Sequence, residues 1–155
     1  MTENEPPLTP FNAREGIHLI VLTGLSGGGK TVALRALEDL EFYCVDNLPG
    51  SLLPHLVQAV LQDRSSRRRR IAVGMDVRNR GEDFAHLPTV LSELAASGVE
   101  PHLIFLDCRD EVLIKRYSET RRRHPLALRG VSLADAIVEE RRLLRPLMAI
   151  AEKVI

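Results

Sequence analysis

The chain has no tryptophan, two tyrosines and four phenylalanines, too few rings for the stacking platform that sequence-tolerant single-strand binding uses. It also lacks a net charge. Its 21 Lys and Arg balance 21 Asp and Glu, so the total predicts neither a polyanion-binding protein nor an acidic tail. Its two cysteines, Cys44 and Cys108, lie in apolar runs with no second ligand pair nearby. They are expected to be reduced core thiols of a cytoplasmic protein, not a disulfide or a metal site. No segment approaches the roughly 18–20 uninterrupted apolar residues of a membrane span. The opening "MTENEPPLTPFNAREG" lacks the basic start and apolar centre of a signal peptide. The expectation is a soluble cytoplasmic protein without a membrane partner.

What is present fits one globular domain: 155 residues with 45% hydrophobic content suffice for a core without disulfides or a structural metal. Residues 1–16 carry Pro6, Pro7 and Pro10 and no periodicity, so they are expected to be a loose leader, with the domain over 17–155. "IHLIVLTG" from Ile17 is a continuous, branched apolar run, the pattern of a strand buried on both faces. From Lys30, residues Val32, Leu34, Ala36, Leu37 and Leu40 recur at helical spacing. Further strands are expected at Phe42–Val45, from Ile71 ("IAVGMDV"), from His102 ("HLIFLDC") and at the closing "KVI". Helices are expected over Leu52–Leu61, Leu87–Ala96 and Asp110–Thr120, the last with Asp110 as N-cap. Another should open on the capping-box residues Ser132 and Asp135 and run through Leu144, with Pro146 ending or kinking it. Strands alternating with helices imply parallel pairing with right-handed crossovers, a three-layer α/β/α sandwich. The chain stops inside a final strand, which suggests the front part of a longer protein.

Between the first strand and the first helix stands Gly24-Leu25-Ser26-Gly27-Gly28-Gly29-Lys30-Thr31, a match to G-x-x-x-x-G-K-[ST] in the context that motif requires. Glycines let backbone N–H groups turn inward, and the helix N-terminus adds its dipole to the anion site. Lys30 supplies a compact charge for β/γ phosphates, and the Thr31 hydroxyl can ligate Mg²⁺. The bland alternative is a glycine-rich turn with a solvated lysine. The expected fold is therefore a P-loop NTPase of the kinase-like type.

Hydrolysis needs an acid near the metal. Asp46, Asp76 and Asp107 each end a strand run, and in a parallel sheet the carboxyl ends of strands share the ligand edge. Asp76 is the first choice for holding Mg²⁺ through water, and Asp107 is its rival. Either could instead cap the next helix, and Asp46 suits an acceptor or a water. Arg121, Arg122 and Arg123 fall in a loop that could close over a nucleotide and stabilise a transferred phosphoryl group. Arg122, the middle one, is the catalytic candidate beside Lys30 and Asp76, against the alternative of a solvated face. Arg67–Arg70 precede a strand, away from that edge, and read as a solvated loop or nucleic-acid patch.

"GLSGGGKTVALRALEDLEFYCVDNLP", "DVRN" at Asp76–Asn79, "LIFLDC" and "RYSETRRRHPL", in this order, resemble the RapZ family of bacterial RNase adapter, or YvcJ-like, nucleotide-binding proteins. The resemblance runs from about Ile17 to the end. It implies ATP and GTP binding with slow hydrolysis, an ATP loop at Gly24–Thr31, and a GTP-binding tetrad at Asp76, Val77, Arg78 and Asn79. It also implies RNA or protein partners bound through a C-terminal domain absent from this sequence. A homo-oligomer is compatible with this reading. The competing expectations are a small-molecule P-loop kinase, because such kinases place an arginine lid after the fourth strand, and an RNA-binding adaptor whose nucleotide is structural.

Overall fold

A computed structural model describes residues 16–63, 69–76 and 82–155. The expected leader, apart from Gly16, lies outside the described residues, as do Arg67, Arg68 and the Val77, Arg78 and Asn79 of the tetrad. The elements run β1 (Ile17–Gly24), α1 (Lys30–Asp39), β2 (Tyr43–Val45), a 3₁₀ turn (Gly50–Leu52), α2 (Leu53–Gln62), β3 (Arg70–Gly74), α3 (Glu82–Ala96), β4 (Val99–Leu106), α4 (Asp110–Thr120), α5 (Leu133–Ile150) and β5 (Lys153–Val154). The five strands are parallel in the order β2-β3-β1-β4-β5. The expected α/β sandwich is therefore present, with the first strand at its centre.

Alternation along β1 divides the core. Ile17, Leu19 and Val21 join the larger cluster with Leu53 and Val57 of α2, Leu87 and Leu94 of α3, Leu113 of α4, and Ile137, Leu144 and Leu147 of α5. Ile20 and Leu22 face the other way, onto Ala33, Leu34 and Leu37 of α1. Successive side chains of a strand point to opposite faces, so a run buried on both sides needs helices on both. Among the described residues, no helix is long and apolar enough to cross a membrane.

Four expectations need correction. α3 begins at Glu82, upstream of Leu87, and runs through Pro88. Phe84, Leu87, Val90, Leu91 and Leu94 all pack on the core, and burial of that stripe outweighs the backbone bond Pro88 cannot make. β4 likewise begins at Val99 and contains Pro101. Leu103 and Phe105 present their carbonyls to the β5 side, accepting from Glu152 and Ile155. Pro101 has the same parity, and β5 pairs only at Ile104 and Phe105, so its missing N–H faces an edge where no strand pairs among the described residues.

The N-cap of α4 is Arg109, and Asp110 is its first helical residue. There the Asp110 carboxylate favours the helix dipole and accepts from Arg141 Nε at 2.8 Å. Finally, α5 does not stop at Pro146 but continues to Ile150, because Leu144 and Leu147 on either side are both buried in the core. Its start is as expected: the Ser132 hydroxyl accepts from Asp135 N at 3.1 Å. Cys44 and Cys108 are free thiols, half-buried where they pack against the core, and Cys108 lies beyond the end of β4.

Candidate functional site

β1 ends at Gly24, whose backbone (φ 138°) is in a region side chains rarely adopt and where a Cβ would collide with the Leu106 carbonyl of β4. This close approach lets the chain leave the sheet: Leu25 N donates to Leu106 O at 3.2 Å, and Gly28 N closes a turn onto Leu25 O at 2.8 Å. Gly29, at φ 105°, then caps α1 in the left-handed conformation, a position suited to glycine. Among the described residues no side chain caps that helix, and its first turn contains no acid, so the partial positive charge of the N-terminus stays available to an anion. Lys30 arches back over the loop, its Nζ 2.8 Å from Gly24 O and 3.3 Å from Leu25 O. Thr31 is exposed in the same first turn. An uncapped helix start with an inward lysine and an open hydroxyl is a donor set that fits a phosphate chain with its Mg²⁺.

Three acids stand at the carboxyl edge, in different situations. Met75 N donates to Leu22 O at 2.8 Å, so β3 stays beside β1 up to Asp76, which is only 7% exposed. Asp46 is exposed and turned onto its own chain, accepting from Asn47 N at 2.8 Å. Asp107 accepts from Cys108 N at 2.7 Å and from Arg141 of α5 at 2.9 Å, which ties it to helix docking. The same Arg141 also reaches Asp110 and the Cys108 carbonyl. Two carboxylates beside one guanidinium raise its pKa against the opposing effect of burial.

The arginines divide by geometry. Arg121, Arg122 and Arg123 are all exposed in the connection from α4 to α5. Arg69 and Arg70 lie at the opening of β3, at the opposite edge, where Arg70 reaches the Leu40 carbonyl and lies 5.8 Å from the Phe42 ring centroid. Sequence reading missed Arg116. From α4 it donates to the Gly27 carbonyl at 2.6 Å, which brings a guanidinium to the phosphate loop itself.

It also missed the support beneath the loop. Glu140 of α5, wholly buried, accepts from Ser26 N at 2.8 Å and from Ser26 Oγ at 2.6 Å. Its other oxygen bonds His124 Nε2 at 2.7 Å. Burial drives the Glu140 carboxyl upward, but the bonds from His124 and from the Ser26 hydroxyl and amide outweigh it and hold the pKa below the usual carboxylate range. The one available signal was Glu140 itself, an acid at a core-facing position of an amphipathic helix.

At the far edge, His18, Glu100 and His102 bring their polar atoms within 4.8 Å of one another. His18 Nδ1 lies 2.9 Å from Glu100, and His102 Nδ1 lies 2.7 Å from Glu152. These partly exposed pairs stand at the start of β1 and β4, away from the phosphate loop.

A parallel sheet with this strand order, and a glycine loop leading from its central strand into a helix, define a P-loop protein of the kinase-like type. Solved structures share the fold. Shikimate kinase from Acinetobacter baumannii in complex with shikimate matches with a TM-score of 0.56 at 18% identity, over 92% of this chain and 85% of that one. Shikimate kinase from Bacteroides thetaiotaomicron matches at 0.54 and 17%, over 88% and 85%.

The chain belongs to the RapZ-like N-terminal domain family, which it matches over residues 17–155. Relatives named nucleotide-binding proteins include one from Alkalilimnicola ehrlichii, 49% identical over 89% of this chain and 48% of its own length. Another, from Halorhodospira halophila, is 47% identical over 88% of this chain and 48% of its own length. The chain thus spans about half the length of these curated relatives.

Proposed function

We propose that this chain is a nucleotide-binding regulatory module that binds ATP or GTP with Mg²⁺ and hydrolyses it slowly, as the front part of an RNase adapter-like cytoplasmic protein. The observation that carries this reading is the complete loop Gly24–Thr31 between β1 and α1, with Lys30 folded over it and Asp76 two residues beyond the end of the adjacent strand β3. The loop N–H groups and the α1 N-terminus hold the phosphates, and Lys30 moves from the carbonyls of Gly24 and Leu25 to the terminal phosphates. Mg²⁺, when bound, neutralises charge on the phosphates. Thr31 and Asp76 are the residues that would hold it, while Val77, Arg78 and Asn79 would complete the GTP-binding tetrad. Arg122 is the proposed catalytic arginine, and Arg116 fixes the loop from the α4 side. RNA or protein partners are assigned to the missing half of the relatives' length, and a homo-oligomer fits the same reading.

A small-molecule kinase is the second reading, supported by the placement of Arg121–Arg123 between α4 and α5, where a lid would close over a phosphoryl acceptor. Calorimetric titration with ATP, GTP and their diphosphates, with and without Mg²⁺, tests the first reading. Binding of none of these nucleotides would overturn it. Phosphate transfer that appears only with an added metabolite would favour the kinase.

A further inference from the structure

A single peptide group in the phosphate loop is held from both ends. The carbonyl of Leu25 accepts from Lys30 Nζ at 3.3 Å and from Gly28 N at 2.8 Å. The N–H of the same planar unit, belonging to Ser26, donates to Glu140 at 2.8 Å. A peptide unit moves as one rigid plane, so whatever draws Lys30 away from Leu25 alters the group that Glu140 holds.

Glu140 passes the connection on. Leu126 N donates to His124 Nδ1 at 3.0 Å. A backbone N–H can only donate, so Nδ1 is the acceptor and the ring proton sits on Nε2, directed at Glu140. Glu140 thus takes the Nε2–H on one oxygen and the two donors of Ser26 on the other. The side chains of His124 and Glu140 are wholly buried, and the Tyr117 ring packs on His124 with centroids 5.3 Å apart. His124 immediately follows Arg121–Arg123. Lys30, Leu25–Ser26, Glu140 and His124 thus form one hydrogen-bonded chain from the lysine that meets terminal phosphates to the anchored end of the arginine segment.

A carboxylate is an expensive way to fill a core position, since an apolar side chain would pack there without desolvating a charge. This one lies beneath an anion-binding loop and binds the Ser26 N–H, so it also decides which loop donors remain for a phosphate.

We propose that Glu140 and His124 are positioning residues that couple the terminal phosphate at Lys30 to the arginine segment, and so set the preference for triphosphate over diphosphate. The inference rests on the nucleotide-binding reading above. When Lys30 leaves the Leu25 carbonyl for a terminal phosphate, the 25–26 peptide loses a polarising donor. The bond from Ser26 to Glu140 weakens, and Glu140 draws more strongly on His124 Nε2–H. A diphosphate, offering no γ-phosphate to the lysine, perturbs the chain less.

Glu140→Gln tests the coupling with little change of shape. If its amide oxygen faces Ser26, its NH₂ opposes His124 Nε2–H. Moving the ring proton to relieve this sets Nδ1–H against Leu126 N–H, so one contact must break at either end. ATP and ADP affinities are measured by calorimetry on wild type and E140Q, below the variant's unfolding temperature. The expected result is a fall of about tenfold in the ATP-over-ADP affinity ratio, an energy in the range of one charge-assisted hydrogen bond. An unchanged ratio overturns the inference.

The companion measurement needs no variant: ¹⁵N resonances of the His124 ring in wild type should shift with a non-hydrolysable ATP analogue and shift less with ADP. A purely structural histidine would respond to neither. Equal or absent shifts in a protein that binds both nucleotides overturn the coupling alone. If wild type binds neither nucleotide, the nucleotide reading fails, and the inference with it.

Discussion

Arg141 of α5 donates to Asp107 at the end of β4 across 2.9 Å, an ion pair that joins a helix to the strand edge where a metal-binding acid was expected. The Cys108 amide shares the same Asp107 oxygen. Asp76 lies two residues beyond the end of β3, on the other side of β1, and the difference between the two acids is testable.

Asp76→Asn should remove most of the Mg²⁺-dependent part of triphosphate affinity and nearly all hydrolysis, because an amide cannot balance the cation. Nucleotide binding without metal should survive. Asp107→Asn should keep the metal dependence and lose about 1 kcal/mol of stability, a modest figure because the pair is a third exposed. Calorimetry with and without Mg²⁺ and a melting curve decide. Metal dependence lost in Asp107→Asn but kept in Asp76→Asn would exchange the roles.

Lys30→Ala should abolish measurable ATP and GTP binding and leave the fold intact. The side chain arches over the loop rather than filling the core, so its loss removes charge without opening a cavity. Retained affinity in a protein with an unchanged circular dichroism spectrum would refute its assignment to the phosphates.

Changing Cys44 or Cys108 to Ala should cost about 1 kcal/mol or less, because both are only half-buried, and hydrolysis should persist. Burial, and then the nearby Glu38 carboxylate, push the Cys44 thiol upward, so at neutral pH it should react with disulfide reagents more slowly than a free thiol. Thiol titration and single-turnover hydrolysis provide the check. Lost hydrolysis in folded Cys108→Ala would give that thiol a role it lacks here.

The folded pKa of Glu140 is lowered, so the unfolded state binds more protons as the carboxyl titrates, and stability rises with pH there. The Glu140 contribution is complete above the unfolded value of about 4.3 and is lost as pH falls through the lower folded value. Glu140→Gln should therefore cost about 3 kcal/mol near neutrality, with the gap closing below about pH 4. Urea unfolding of both proteins from pH 7 to pH 3 measures it. A constant gap would mean the carboxylate charge is not what stabilises the site.

Thr23 is wholly buried directly before the loop, and its hydroxyl finds no hydrogen-bond partner among the described residues. Thr23→Val keeps the shape and removes an unsatisfied polar atom. It should raise stability by about 1 kcal/mol, or about 2–4 °C in Tm. A lower Tm would reveal a partner for the hydroxyl.

Local chemistry made the core of this site readable in sequence. The run Ile17–Gly24, the glycines and Lys30-Thr31 specify strand, loop and helix through neighbours in the chain, and β1 and α1 lie where that pattern puts them. Three prolines lie inside a helix or a strand. Pro88, Pro101 and Pro146 each break a local rule, and each is accommodated by packing or by an unpaired edge that no local window contains.

Sequence by itself determined the alternation of strands and helices, the phosphate loop and the set of acids at strand ends, because each depends on residues within a turn or two of one another. Only the tertiary structure decided that β3 rather than β4 carries the acid not tied to Arg141, that Arg116 reaches Gly27, and that Glu140, 114 positions from Ser26, holds the loop from beneath. Contacts at such separation have no period or spacing to reveal them. They arise when the sheet brings α4 and α5 against the loop, where a buried polar atom is costly unless it meets a hydrogen-bonded partner.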